Sequence, residues 1–360
     1  MAHGRTNPAW TWAAPSAGAS ILASGLLLPN VAMLQIAMAV ALVATVFAAV
    51  HHAEVVAHRI GEPFGTLVLA IAVTVIEVAL IVSMMVSAPE AKAGLARDTV
   101  FAAVMIVCNG IVGVSLLLGG MRHRVQNFQL EGASAALAVL AALTVLSLVV
   151  PNVTTSASGP TFSSHQLAFV GLASLLLYGA FVFVQTVRHR DYFLPAFLGD
   201  EDAHAEPPSA IDAWTSFLLL LVSLVTVVGL AKLLTPAIEA AVAAANAPKS
   251  FVGIAIAGVV LLPEALAAVN AARSNRLQTS LNLALGSALA TIGLTVPAVA
   301  FLSLALGYPL QLGLGPLEQV MLALTLFLGV ITLGTGRTTV LQGIVHLVLF
   351  GAFLFFALVP

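Results

Sequence analysis

The chain has 360 residues, of which 60% are hydrophobic and only 8% are charged, and its mean hydropathy is +1.08. Soluble domains carry about 25% charged residues, so this chain has too little polar surface to face water. The composition therefore excludes a soluble enzyme, a nucleic-acid-binding protein and a disordered protein. A polytopic membrane protein remains, and its net charge of −2 gives no basic field that would attract nucleic acid.

Apolar runs that are long enough to cross about 30 Å of hydrocarbon recur along the whole chain. They cover residues 16–29, 31–56, 64–87, 97–120, 131–151, 163–188, 211–234, 250–271, 279–306, 314–334 and 338–359. These runs predict an all-α polytopic membrane protein with about eleven transmembrane helices. The first run is short, and it could also be the core of a signal peptide that follows Arg5.

One long polar connection divides the later runs into two groups of five. We therefore expect an N-terminal segment with one extra helix at 1–30, a first five-helix repeat at 31–188, an acidic loop at 189–210, and a second five-helix repeat at 211–360. Because each repeat has an odd number of helices, the second enters the membrane from the side opposite to the first. The sequence therefore predicts an inverted repeat.

The positions of Lys and Arg predict the orientation, because short cytoplasmic loops are enriched in both residues. Nine lie in loops on the N-terminal side of the membrane, at Arg5, Arg59, Arg122, Arg124, Arg188, Arg190, Arg273, Arg276 and Arg337. Four lie on the opposite side, at Lys92, Arg97, Lys232 and Lys249. We expect the N-terminus and the acidic loop to be cytoplasmic and the C-terminus to be external.

Two carboxylates stand inside apolar runs, at Glu77 and Glu264. An ionised side chain at the bilayer centre costs about 2.5–3.5 kcal/mol or more, so such residues persist mainly where they bind or relay something. An offset of 187 residues superposes Glu264 on Glu77 and also Phe251 on Phe64. Helices entering from opposite sides would bring both carboxylates to a similar depth, which predicts a cation site. The alternative is a role in hydrogen bonding between helices.

Paired carboxylates at low dielectric predict competition between a cation and protons. Burial and repulsion disfavour two negative charges, so at least one carboxylate should take up a proton when no cation is bound. Hard carboxylate oxygens suit Ca²⁺ best. Pro263 would either free the carbonyl of Val259 to face the ion or simply bend the helix.

Small polar residues near the two glutamates are candidates for supporting roles. They are Thr74, Asn109, Asn282, Ser287 and Thr291. Ser287 and Thr291 share one helix face with Thr295, since the three recur every four residues. The alternative for this set is close packing between helices, for which small residues are commonly used.

Other polar residues permit two interpretations each. Glu54 and His58 lie one turn apart at a span end and could form a proton gate, or His58 could be an interfacial anchor. His346, inside the last span, is a similar candidate. The acidic residues of the central loop could regulate transport or could simply be solvated. They are Asp200, Glu201, Asp202 and Glu206.

Several patches together resemble the ChaA-type bacterial cation/proton antiporters of the Ca²⁺/cation antiporter superfamily. They are the stretch 52–65 running into Glu77, Pro263–Glu264, the run 286–291 followed by 295–297, and 335–338 with Leu341, Gly343 and His346. The resemblance covers almost the whole chain from about residue 35. It implies an eleven-helix exchanger of the bacterial inner membrane that alternates access around Glu77 and Glu264.

The chain departs from the wider calcium exchanger pattern, in which Gly-Asn stands four and three residues before each glutamate. The corresponding residues here are Val73-Thr74 and Val260-Leu261. Losing both asparagines weakens the case for Ca²⁺ and leaves Na⁺ or K⁺ open.

Transport by exchange fits the paired glutamates better than two other functions. An ion channel would need a filter-like segment, and an intramembrane enzyme would need a motif such as His-Glu-x-x-His, and neither is present in the sequence. The expected partners are membrane lipid, inorganic cations and protons, with no nucleic acid and no cofactor. A homo-oligomer is left open.

Overall fold

The computed structural model describes residues 7–28, 31–61, 64–194, 208–245, 248 and 250–359. These residues form α-helices almost throughout, as expected from the continuous apolar runs. The helices are α1 Ala9–Leu27, α2 Ala32–Ile60, α3 Phe64–Ser87, α4 Leu95–Met105, α5 Val112–His123, α6 Leu130–Thr144, α7 Ser164–Phe183, α8 Ala210–Ala244, α9 Phe251–Val260, α10 Leu262–Arg273, α11 Leu277–Leu306, α12 Pro316–Leu333 and α13 Val340–Leu358.

Eight helical segments of the described chain are long and apolar enough to cross a membrane, and the bent pair α9–α10 brings the number to nine. Ile71–Val86, within α3, is a shorter apolar helix. The expected all-α polytopic fold is confirmed. The expected number of eleven is not, because it would require both α1 and α3 as further spans.

Turns of π-helix occur in three of the spans: Ile106–Ile111 lies in the middle of its span, Val145–Val149 lies near the end and Val184–Arg188 forms the end. The first of these, called the π turn below, joins α4 and α5 into one continuous segment, Leu95–His123. In that segment 83% of the apolar 18-residue stretch is buried inside the protein, whereas 50% or less of the corresponding stretch is buried in each of the other seven segments. It is therefore an interior helix, in which a polar side chain must find partners within the protein.

The described residues form two compact units. Unit 1 contains α1, α2, α3 and α8, and α2 packs against the other three helices. Helix α1 comes very close to α2 at Gly18, where an added Cβ would lie 2.5 Å from the Thr45 hydroxyl oxygen. Small residues at such crossings are the usual means by which membrane helices pack closely.

Unit 2 contains α4–α7 and α9–α13. A short antiparallel strand pair joins the chain after α5 to the connection between α12 and α13. Strand β1, Gln126–Asn127, pairs with β2, Arg337–Thr338. Beside this pair, the Gln126 amide donates to the Ala272 carbonyl at 2.8 Å, and the His123 Nε2 lies 2.9 Å from the Arg273 carbonyl oxygen. The C-terminal ends of α5 and α10 therefore lie at the same end of unit 2.

Candidate functional site

Glu77 lies in the interior of α3 and is 3% exposed. Thr74, one turn earlier, is 4% exposed, and the neighbouring Ile76, Leu80 and Ile81 are buried as well. The helix packs against α2 and α8 within unit 1. A buried carboxylate is costly unless a hydrogen-bond partner, a proton or a cation compensates its charge, so a change of proton or cation at this position would have a large effect on its energy.

The second glutamate lies directly after a break in its span. Helices α9 and α10 meet at Leu261 and are bent by 57°. The break follows from Pro263, which lacks an amide hydrogen and whose ring collides with the preceding turn of a continuous helix. Glu264 stands in the first turn of α10 and is half-buried. The positive end of a helix dipole favours negative charge at such a position.

Three structural elements of unit 2 surround α10. It packs against α5, α11 and the π turn. α5 and α10 each have twelve residues, their C-termini lie at the same end of unit 2, and the π turn directly precedes α5. The π turn therefore lies near the start of α10, where the span is broken and where Glu264 occupies the first turn.

Two of the candidate supporting residues on α11 lie level with Glu264 or beyond it. α10 and α11 are consecutive and antiparallel, and Glu264 precedes the end of α10 by nine residues while Ser287 follows the start of α11 by ten. Ser287 is half-buried, and Thr291, one turn further along the same face, is 3% exposed. Both can present hydroxyl oxygens along one face of α11.

Asn109 is the midpoint of the segment Leu95–His123 and is fully buried in the π turn. Its amide nitrogen donates to the Thr325 hydroxyl at 2.9 Å, and its carbonyl oxygen lies 3.0 Å from the His346 Nδ1. The His346 Nε2 in turn lies 3.0 Å from the Thr332 hydroxyl. Asn109 is therefore bound on both sides of its carboxamide by residues of α12 and α13.

Asn282 belongs to a different hydrogen-bonded group, at the end of unit 2 where α11 begins. Its amide donates to the Phe193 carbonyl at 2.6 Å, and its oxygen accepts from the Gln278 amide at 2.9 Å. The Gln278 oxygen also accepts from the Gln129 backbone amide at 2.6 Å. Asn282 thus joins α11 to the chain that follows α7, and it lies about one turn closer to the α10–α11 connection than Ser287.

The remaining predicted residues lie apart from these groups or outside the described residues. Glu54 and His58 are exposed on α2 in unit 1. Asp200, Glu201, Asp202 and Glu206 fall outside the described residues. The proton-gate and regulatory hypotheses for these residues stay predictions.

Sequence reasoning missed the two threonines of α12 that complete the Asn109 group. Thr325 and Thr332 are seven residues apart, so they share one face of the helix. Both are almost fully buried, at 1% and 4% exposed. The signal in the sequence was the seven-residue spacing of these two polar residues in an apolar run, which places both on one face of α12 and indicates that this face points into the protein.

Known proteins resemble this chain over nearly its full length. The Sinorhizobium fredii protein y4hA is 53% identical over 360 residues, which is 98% of this chain and 97% of that protein. The sodium-potassium/proton antiporter ChaA of Escherichia coli is 38% identical over 330 residues, covering 91% and 89%. The solved structure of YfkE, a Ca²⁺/H⁺ antiporter, matches with a TM-score of 0.73 at 17% identity and covers 97% of this chain and 100% of that one.

These matches define an integral membrane protein of the antiporter class, and the YfkE likeness confirms the fold. The family model described as sodium/calcium exchanger protein matches residues 30–187 and 215–359. The chain belongs to this family, and it is a transporter and not an enzyme. The predicted membership in the Ca²⁺/cation antiporter superfamily is confirmed.

Proposed function

We propose that this chain exchanges a cation for protons, and that Glu77 and Glu264 bind the cation and the protons in turn. The observation that carries the proposal is the environment of Glu77, a carboxylate that is 3% exposed in the interior of an apolar helix. Such a group changes its proton occupancy readily when a cation arrives, because burial disfavours the uncompensated negative charge. The binding of a cation and the release of a proton are then linked at one side chain.

The position of Glu264 supports the same role by a different means. The break at Leu261 gives α10 its own N-terminus inside the span, and Glu264 occupies its first turn. Interrupted helices in transporters characteristically place charged or polar groups at the site of the transported ion. The chain therefore has one deeply buried carboxylate in unit 1 and one at a helix terminus in unit 2, and we infer that access to these glutamates alternates between the two sides of the membrane.

Two cation classes are candidates. Carboxylate oxygens are hard ligands, which favours Ca²⁺, and YfkE is a Ca²⁺/H⁺ antiporter. Na⁺ and K⁺ are favoured by the 38% identity to a sodium-potassium/proton antiporter. Thr74 stands where the wider calcium exchanger pattern has an asparagine, so the Glu77 helix offers a hydroxyl in place of an amide oxygen.

The decisive experiment measures cation and proton fluxes together in sealed vesicles that contain the full chain. An imposed pH gradient should drive Ca²⁺, Na⁺ or K⁺ uphill, and each cation should in turn drive protons in the opposite direction. Dissipating the pH gradient with a protonophore should abolish the uphill movement. Cation flux that needs no counter-proton would contradict antiport and would favour a channel.

The orientation and the location of the chain form part of the same proposal. The nine-to-four distribution of Lys and Arg supports a cytoplasmic N-terminus, a cytoplasmic acidic loop and an external C-terminus. The similarity to bacterial proteins supports a bacterial inner membrane. Cysteine labelling from each side of intact cells, starting from a Cys108→Ala background, would test this orientation.

A further inference from the structure

A chain of hydrogen bonds with a defined direction runs through the interior of unit 2. It begins at Thr325, whose hydroxyl donates to the Met321 carbonyl at 2.8 Å and therefore accepts the Asn109 amide. The Asn109 oxygen consequently faces His346. Since a carbonyl oxygen can only accept, the proton of the neutral imidazole must lie on Nδ1. The opposite nitrogen, Nε2, then accepts from the Thr332 hydroxyl.

The close packing of α13 on α5 and the π turn places His346 directly against the π turn. An added Cβ on Gly343 would lie 2.5 Å from the Leu117 backbone nitrogen, and one on Gly113 would lie 3.2 Å from the His346 Cβ. Three residues before Gly113, Gly110 contacts the ring of Phe350. His346 itself is 2% exposed. Its ring therefore fills a fixed space between the π turn and α12.

Both ends of the Asn109 carboxamide depend on this arrangement. If the imidazole were absent, the Asn109 oxygen would lose its donor, and the carboxamide could rotate about its terminal bond. The π turn carries Asn109 beside the α9–α10 break, and it packs directly against α10. A change in the orientation of Asn109 would therefore reach the helix that carries Glu264.

We propose that His346 is a positioning residue for exchange, which holds the Asn109 carboxamide and the π turn in the one orientation that leaves α10 correctly placed. This inference rests on the proposed function of Glu264. It assigns His346 a role through Asn109, and it differs from a proton gate because it requires no gain or loss of a proton by the imidazole.

The test compares three substitutions of His346 in the full chain reconstituted in vesicles, with cation-driven proton flux measured over a range of cation concentrations and pH. His346→Asn places an amide donor near the position of Nδ1 and retains the bond to Asn109. His346→Gln extends towards Thr332 instead, and His346→Leu removes both of these bonds together with the interaction of the ring with the Cys108 backbone. His165→Leu, at an exposed position near the start of α7, is the matched control.

Positioning predicts a clear order among these variants. His346→Asn should keep the flux within about threefold of the parent protein and should leave the pH profile unchanged, since one buried hydrogen bond is worth about 0.5–1.5 kcal/mol. His346→Leu should lower the flux by about tenfold or more and raise the half-saturating cation concentration. His346→Gln should resemble His346→Leu, and His165→Leu should have no effect.

Two results would overturn the inference. One is a His346→Leu variant with the flux of the parent protein. The other is a His346→Asn variant as inactive as His346→Leu with a displaced pH profile, which would make His346 a proton carrier. If His346→Leu fails to fold, Thr332→Val should lower the flux by about threefold through the loss of one bond to the ring, and an unchanged flux would equally refute positioning.

Glu264→Gln in the same assay separates this inference from the proposed function. An exchanging Glu264→Gln variant would refute the glutamate mechanism whatever His346 does. An inactive Glu264→Gln variant together with a fully active His346→Leu variant would refute only the positioning role.

Discussion

The contact between α13 and α5 gives the sharpest prediction about packing, because Gly343 leaves no room for a side chain. A Cβ at this position would lie 2.5 Å from the Leu117 nitrogen, 2.9 Å from the Gly113 carbonyl oxygen and 2.9 Å from the Leu117 Cα. All three are backbone atoms, so no flexible side chain can yield. Ordinary carbon contacts are about 3.5–4.0 Å, so Gly343→Ala must push α13 away by about 1 Å.

The magnitude follows from two opposing terms. Overpacking costs about 1–3 kcal/mol, whereas replacing glycine by alanine inside a helix stabilises by about 1 kcal/mol. The net effect should be destabilising by up to about 2 kcal/mol. The shift should also weaken exchange, because α13 carries His346 against the π turn. The control is Gly351→Ala in the same helix, where nothing lies within 4 Å of an added Cβ.

The assay is thermal unfolding of the purified protein in detergent, measured alongside flux in vesicles. Gly351→Ala should be at least as stable as the parent protein, and Gly343→Ala should unfold at a lower temperature. Equal midpoints for Gly343→Ala and Gly351→Ala would refute the close approach of α13 to α5.

Two further predictions concern other contacts within unit 2, one at the start of α11 and one between α9 and α4. Asn282→Ala removes a donor to the Phe193 carbonyl and an acceptor for Gln278, so it should destabilise the protein by about 1–3 kcal/mol; unchanged thermal unfolding would show that this link contributes nothing. Gly253→Ala should lower the unfolding midpoint because an added Cβ would lie 2.9 Å from the Thr99 backbone nitrogen, whereas Gly258→Ala in the same helix meets nothing within 4 Å. Equal effects of these two substitutions in unfolding scans would argue against the tight contact of α9 with α4.

The sequence predicted the features that depend on composition and local chemistry. Continuous apolar runs predicted the helices, because backbone groups in a membrane must satisfy one another within the helix. Pro263 predicted a perturbed helix for the same local reason, and the structure has a 57° bend there. The cost of a charge in an apolar run was sufficient to single out Glu77, which is buried as expected.

Features that depend on contacts distant in sequence could not be predicted. The bond between Asn109 and His346 joins residues 237 positions apart, and the bond between Asn282 and the Phe193 carbonyl spans 89. Helix periodicity shows which face a side chain occupies but does not show which helix that face meets. For the same reason, the sequence grouped Asn282 with the residues near Glu264, although it lies in a separate group at the start of α11.

The π turns were also invisible in the sequence. The residues Ile106–Ile111 include no proline, and although Asn109 and Gly110 weaken a helix, they do not by themselves distinguish a π turn from a regular helix. The extra residue in such a turn is stabilised by tertiary contacts, here those of Asn109 with α12 and α13. The spacing of apolar residues in the sequence predicts a helix of one period, so it does not show where packing converts a turn of α-helix into a turn of π-helix.

The central claim is that Glu77 and Glu264 carry both the cation and the protons. Its most direct test is the ratio of cation to proton flux in vesicles for Glu77→Gln and Glu264→Gln, with Glu131→Gln, an exposed acid in the first turn of α6, as the control. We predict that each of the first two variants loses coupled exchange while remaining folded and that Glu131→Gln keeps it. Coupled exchange at the parent rate in either Glu77→Gln or Glu264→Gln would contradict the account.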